Sequence, residues 1–312
     1  LPLAHARDGC ATFGVITLSL ALCHHVNAQT FVTGADIRPA VVNSRIVTQA
    51  HNDLTNQDLT NVRVFSYQFQ LDMSDPYYLN DPGFNAVIGS GLPQGSQLNF
   101  GVLSSLRYWN GTGATGFGDT LSQEKLRINR AQTNVNVTST SGAQNGFAIA
   151  NVSSGGAMHS HLNTFLERDA GAVPANGIYL AAIDVGSTGA GIARSLPVYL
   201  MFNNGAGETA FSAARNYVLF PLPGDVDFDG HVDTIDFNLL AGSFGQTGRN
   251  YLNGDFNENG TVDSTDFSIF TSGYGRQTPE PASPGTTVPE PAGLCLILSG
   301  SFLLRRARRI NT

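Results

Sequence analysis

The stretch GDVDFDGHVDTIDF at residues 224–237 returns thirty positions later as GDFNENGTVDSTDF at residues 254–267. Only 13% of the 312 residues are charged, yet nine acids face a single arginine, Arg249, between positions 225 and 266. Aligned as twelve-residue loops, Asp225, Asp227, Asp229, Asp233 and Asp236 hold positions 1, 3, 5, 9 and 12. Asp255, Asn257, Asn259, Asp263 and Asp266 hold the same positions in the second copy, and Gly230 and Gly260 hold position 6. This is the spacing of an EF-hand-type calcium loop. Ca²⁺ takes six to eight hard oxygens at roughly 2.3–2.6 Å, and alternate residues of a tight turn aim theirs at one centre. Position 7, His231 and Thr261, gives only its backbone carbonyl, so the histidine ring is not a ligand. Position 8, Val232 and Val262, is apolar, as loops packed back to back require. Two calcium ions are expected, and without them the carboxylates repel and the segment should be largely unfolded.

Position 12 is Asp where an EF-hand has Glu, so a shorter arm must bring its helix closer to the ion. Short apolar stretches, FNLLAGSF and FSIFTSGY, follow the loops, while FPLP at 220–223 cannot supply a helix before the first. The order is loop–helix, twice. Over residues 223–273 it resembles the type I dockerin family. The resemblance implies binding to a cohesin-like partner through loop positions 10 and 11, here Thr234 with Ile235 and Ser264 with Thr265. The second pair is similar to the family's Ser-Thr pair and the first departs from it, which puts two-way symmetric binding in question. Dockerin-like pairs also occur where they simply close the end of a neighbouring domain.

Residues 29–222 read as a mainly β body, a β-sandwich or jelly roll of eight to ten short strands. In FSYQFQL, Phe65, Tyr67, Phe69 and Leu71 alternate with polar residues, so one face is buried and one is wet. TNVNVTS repeats the pattern through Val135 and Val137. GIYLAAIDV and LPVYLMFNN are more apolar, as strands covered on both faces are. Clusters such as NDPGFN and NGTGATGFGD punctuate them, and GETAFSAARNY can form one short helix.

Both ends read as addresses. Arg7, the apolar run ATFGVITLSLALC and a small-residue site ending at Ala28 form a signal peptide, residues 1–28. Residues 276–288 are a Pro-rich linker. Residues 289–312 join VPEP, with Pro289, Glu290 and Pro291, to thirteen apolar residues and four arginines. That run is shorter than the roughly 20 residues of a spanning helix. The tail resembles the PEP-CTERM sorting signal. The resemblance implies an exosortase-type processing enzyme, transient membrane association through the tail, and a place at the cell surface or extracellular matrix of a Gram-negative-type bacterium. All three cysteines, Cys10, Cys23 and Cys295, fall in the end segments, so the body has no disulfide. Without Arg7, Asp8 and the tail arginines, 12 basic residues face 23 acidic ones, which excludes a nucleic-acid partner.

The body holds one metal-like feature, HSH. His159 and His161 alternate, so both rings project from one strand face and can share a Zn²⁺ if the fold supplies a third ligand, with Glu208 and His51 as candidates. Phrases such as DPGFNA, MHSHLNTFLE and PVYLMFNNG loosely resemble a body domain of PEP-CTERM proteins, some of them under zinc-dependent repression. No G-x-S-x-G, H-E-x-x-H or P-loop pattern occurs. Glu124, Glu167 and Asp184 are the acids from which a glycosidase pair would be drawn. The leading reading is an exported, surface-associated, non-enzymatic protein with a calcium-stabilised docking module. The rivals are a carbohydrate-active or polysaccharide-binding component recruited through its dockerin, and a zinc-binding surface protein.

Overall fold

The computed structural model describes residues 30–52, 57–72, 74–110, 116–118, 121 and 123–278. The signal-peptide and sorting-tail segments lie outside these residues. The protein is mainly β, with sixteen strands among the described residues. Several, such as Tyr78–Leu79 and Arg107–Trp109, are too short to carry a readable period, which is why the sequence suggests fewer.

The largest sheet runs in the order Thr30–Thr33, Val62–Gln68, Val198–Asn204, Gly177–Ser187, Gln97–Val102, Gln144–Asn151, and Arg107–Trp109 also pairs with Gly177–Ser187. The first two pairings are parallel and the others antiparallel. A second sheet, Thr133–Thr138, Glu124–Arg130, Asn163–Arg168 and Tyr78–Leu79, shares a core with it. Leu126, Ile128, Val135, Val137 and Leu166 cluster there with Phe65, Phe100, Tyr179, Leu200 and Phe202. This is the packing of a β-sandwich. A three-stranded sheet (Arg38–Val42, Arg45–Asn52, Gln57–Leu59) and a two-stranded ribbon (Gly83–Ala86 with Met158–His161) complete the body.

The two apolar strands of the large sheet are covered on both faces. Tyr179, Ala181 and Ile183 enter the sandwich core, while Ile178, Leu180, Ala182, Tyr199 and Met201 enter a second one. That second core is roofed by α1 (Glu208–Leu219), which contributes Phe211, Ala214, Tyr217 and Val218. The same roof corrects the reading of FSYQFQL. Its second face is not wet, because Val64 belongs to the second core and Ser66 is buried. Leu71 is 77% exposed, because the strand ends at Gln68 and Gln70 takes a left-handed φ of 63°.

Beyond Phe220–Pro223 come α2 (Thr234–Ser243) and α3 (Ser264–Gly273). The position-8 valines Val232 and Val262 meet Leu240 and Phe270 in a small core of their own. The loops do not pair with each other through their backbones. Val232 exchanges hydrogen bonds with Gly275 and Arg276, which follow α3, and Val262 bonds Gln246 and Gly245, which follow α2. Each loop is thus clasped by the chain leaving the other helix. Arg276, Gln277 and Thr278, which read as linker, belong to this clasp: Gln277 bridges His231 and the Thr278 N–H donates to the Gly230 carbonyl.

Candidate metal centre

In the first loop the chain folds the acids inward. Asp225 is fully buried, Asp227 is 8% exposed and Asp236 is 1% exposed. One oxygen from each of Asp225, Asp227 and Asp229 lies within 4.8 Å of the others. Gly230, at a φ of 90° that side chains rarely adopt, turns its N–H to donate to Asp225 Oδ2 at 3.0 Å. The His231 N–H donates to Asp229 Oδ1 at 2.8 Å, and the His231 ring is not part of the cluster. Asp233 caps α2 by accepting from the Ile235 N–H at 2.7 Å.

Position 12 shows how a short Asp serves. Asp236 sits at N3 of α2, where Oδ2 accepts from the Asp233 N–H at 2.9 Å and completes a capping box. Its Oδ1 accepts from the Val226 N–H at 2.7 Å. The helix start is thereby pulled onto the loop. In the second copy Asp266 repeats this, with the Asp263 N–H at 2.9 Å and the Asn257 N–H at 3.2 Å. The D-x-x-D capping box stands in the sequence at 233–236 and 263–266 and is the signal that explains the missing Glu.

Burial of so many carboxylates calls for a counter-charge. Burial pushes the Asp225 carboxyl up to about 8, against the opposing bonds from Tyr217 and Gly230. It pushes Asp236 and Asp255 to about 6 and raises Asp229. Arg107, 3.5 Å from Asp227, is a single cation beside this group. Asp225 Oδ1 is buried with no hydrogen-bond partner. A divalent cation would give that oxygen its partner and relieve the repulsion, so the residues present fit Ca²⁺. In the second loop both Asp255 oxygens are engaged, by Asn259 at 3.1 Å and Gly260 at 2.8 Å, and the neutral Asn257 and Asn259 replace two carboxylates.

The first loop is also joined to the body, which the sequence did not reveal. Phe228, at position 4 with a φ of 61°, is 2% exposed and stacks among Tyr199, Tyr217 and Tyr251 at 5.3–6.4 Å. Its carbonyl accepts from the Phe117 N–H at 2.6 Å. The Tyr217 hydroxyl of α1 donates to Asp225 Oδ2. A Cβ at Gly116 would lie 2.2 Å from the Asp229 carbonyl oxygen, so this close approach needs glycine. Glu258, the equivalent of Phe228, instead pairs with Arg63 at 2.6 Å. The one local hint was that position 4 is aromatic in one loop and acidic in the other. Thr234, Ile235, Ser264 and Thr265 all stand exposed on the first turns of α2 and α3.

Residues 223–272 match the type I dockerin domain. By that match the segment is a calcium-binding module for protein–protein interaction, of a family whose members bind cohesin partners and are typically extracellular or at the cell surface. No curated protein matches the chain. No helix among the described residues is long and apolar enough to cross a membrane.

The other sequence candidates separate. His159 and His161 do come together, with their Nε2 atoms 3.0 Å apart. The third group beside them is Asp36, not Glu208 or His51. Glu208 bonds the Ser212 hydroxyl at the start of α1, and His51 pairs with Asp58 at 2.8 Å. Glu124, Glu167 and Asp184 lie beside Arg168, Arg127 and Arg194, at 3.6, 2.6 and 2.6 Å.

Proposed function

We propose that this is an exported, surface-associated, non-enzymatic protein whose dockerin segment, ordered by two calcium ions, docks it to a cohesin-like partner. The observation that carries this reading is the division of labour within each loop. Positions 1 and 12 (Asp225, Asp236, Asp255 and Asp266) are buried in both loops, while positions 10 and 11 stand in solvent beside the exposed apolar side chains of Phe237, Leu239 and Phe267. Asp225, Asp227, Asp229, Asp233 and Asp236 would hold one ion with the His231 carbonyl. Asp255, Asn257, Asn259, Asp263 and Asp266 would hold the other with the Thr261 carbonyl. Calcium supplies the positive charge that lets these carboxylates be buried together. The order of parts is a signal peptide at 1–28, a body to 222, the dockerin segment to 275, a linker, and a PEP-CTERM tail from 289 that an exosortase-type enzyme removes. The Pro289–Pro291 motif, the apolar run and the arginine cluster support the last assignment. The test is capture of a cohesin panel by the full chain in calcium and in chelator, beside a Thr234→Arg/Ser264→Arg variant. Calcium-dependent binding lost in that variant supports the proposal, and no binding to any cohesin in calcium sinks it.

A second reading is favoured by the burial of Phe228 and the Tyr217–Asp225 contact. The segment acts as an intramolecular clasp that closes the open face of the large sheet. The two roles are compatible, because the clasp uses positions 1 to 5 and the docking face uses positions 10 and 11.

A further inference from the structure

A cluster of two imidazoles and a carboxylate, chemically unlike the acidic loops, sits on the body. The strand Met158–His161 pairs with Gly83–Ala86 so that His161 lies opposite Gly83 and His159 opposite Asn85. Ile37 bridges to Phe84, and its N–H donates to the Gly83 carbonyl at 2.8 Å, which sets Asp36 beside the two imidazoles. Asp36 Oδ2 lies 3.2 Å from His159 Nε2, and Asp36 Oδ1 lies 3.8 Å from His161 Nε2. The 3.0 Å between the two Nε2 atoms and the 3.2 Å from Asp36 Oδ2 to His159 Nε2 are close to the roughly 3.3 Å edges of a tetrahedron whose centre is about 2.0–2.1 Å from each ligand, and the Asp36 carboxylate stands farther from His161. The His161 Nδ1–H donates to the Asn80 carbonyl at 2.7 Å, which fixes the tautomer and leaves the Nε2 lone pair for a metal. Gly83 is required, since a Cβ there would lie 2.0 Å from Asp36 Oδ1 and 2.8 Å from His161 Cε1.

We infer that Asp36, His159 and His161 bind one Zn²⁺. Two imidazoles disfavour Ca²⁺ and Mg²⁺, which take oxygen ligands, and suit a borderline ion of the zinc class. Three protein ligands leave a fourth position for water or an exogenous anion, and the His159 side chain is 58% exposed. The ion ties Asp36 to the strand Met158–His161, more than a hundred residues away. It is independent of the calcium loops, so failure of the docking proposal does not touch it.

The test titrates Zn²⁺ onto the calcium-saturated full chain against a chromophoric chelator. Wild type and His51→Ala should bind one zinc ion more than Asp36→Asn, Gly83→Ala and the His159→Ala/His161→Ala double variant. Equal zinc counts in wild type and these variants would overturn the assignment. Co²⁺ gives a readout that does not depend on the folding of a variant. Wild type should show the visible bands of a four-coordinate site, and one equivalent of Zn²⁺ should abolish them. Their absence from wild type would refute the site.

Discussion

The two acidic loops are near copies in sequence and differ in what surrounds them. The first is pressed against the body: Phe228 fills a pocket of tyrosines, Tyr217 reaches Asp225, and Arg107 stands beside Asp227. The second meets the body in an ion pair of Arg63 with Glu258, and leaves Asn257 and Asn259 exposed. The difference teaches that a repeated metal loop can serve two ends at once. One copy acts as a structural joint and the other braces it, while both present their helix starts to solvent.

Calcium removal should have the largest effect. Each ion held at a thousandfold its dissociation constant contributes about 4 kcal/mol, so chelation should melt α2 and α3, read as a loss of helical circular dichroism. If the helices survive in chelator, the loops are ordered by packing alone. Phe228→Ala comes next. It empties an aromatic site and should cost about 3–5 kcal/mol in thermal or urea unfolding, whereas Phe256→Ala, at the partly buried position 2 of the second loop, should cost less. Equal costs would erase the distinction between the loops.

Tyr217→Phe sharpens the comparison further. Asp225 loses a donor, so the affinity of the first calcium should change by about tenfold, or 1.4 kcal/mol, with the second unchanged in a calorimetric titration. The smallest effect should come from Arg63→Ala. Its pair with Glu258 is partly exposed, and its loss should cost about 1 kcal/mol of stability without altering the number of ions bound.

Much of this was legible in the chain. The period-two run through Val135 and Val137 marked a half-buried strand, and the largely apolar runs at 177–185 and 198–202 announced strands covered twice. The twelve-residue spacing placed the carboxylates, because ligand geometry is a local property of a loop. What covered the second face of the sheet was not legible. Phe228 reads as one apolar residue in an acidic loop, and only the fold shows that it meets Tyr199 and Tyr217. Asp36 was missed for the same reason. Nothing near it in the sequence points to the histidines, and the bridge from Ile37 to Phe84 brings it beside His159 and His161. Glu208 and His51 were reasonable donors by chemistry, but each is taken up by a neighbour on its own element or sheet.

The chain carries one tryptophan, and it sits at the joint. Trp109 is 4% exposed, with Phe117 at 5.3 Å and Tyr217 at 6.1 Å. Its fluorescence therefore reports whether the first loop is seated on the body. The most direct test is thermal unfolding of the full chain followed by Trp109 emission, in calcium and in chelator. A joint ordered by calcium predicts a transition that moves up by several degrees in calcium, and a much smaller shift in Phe228→Ala. A Trp109 transition that ignores calcium would mean that the body and the acidic loops fold independently, and would contradict the account.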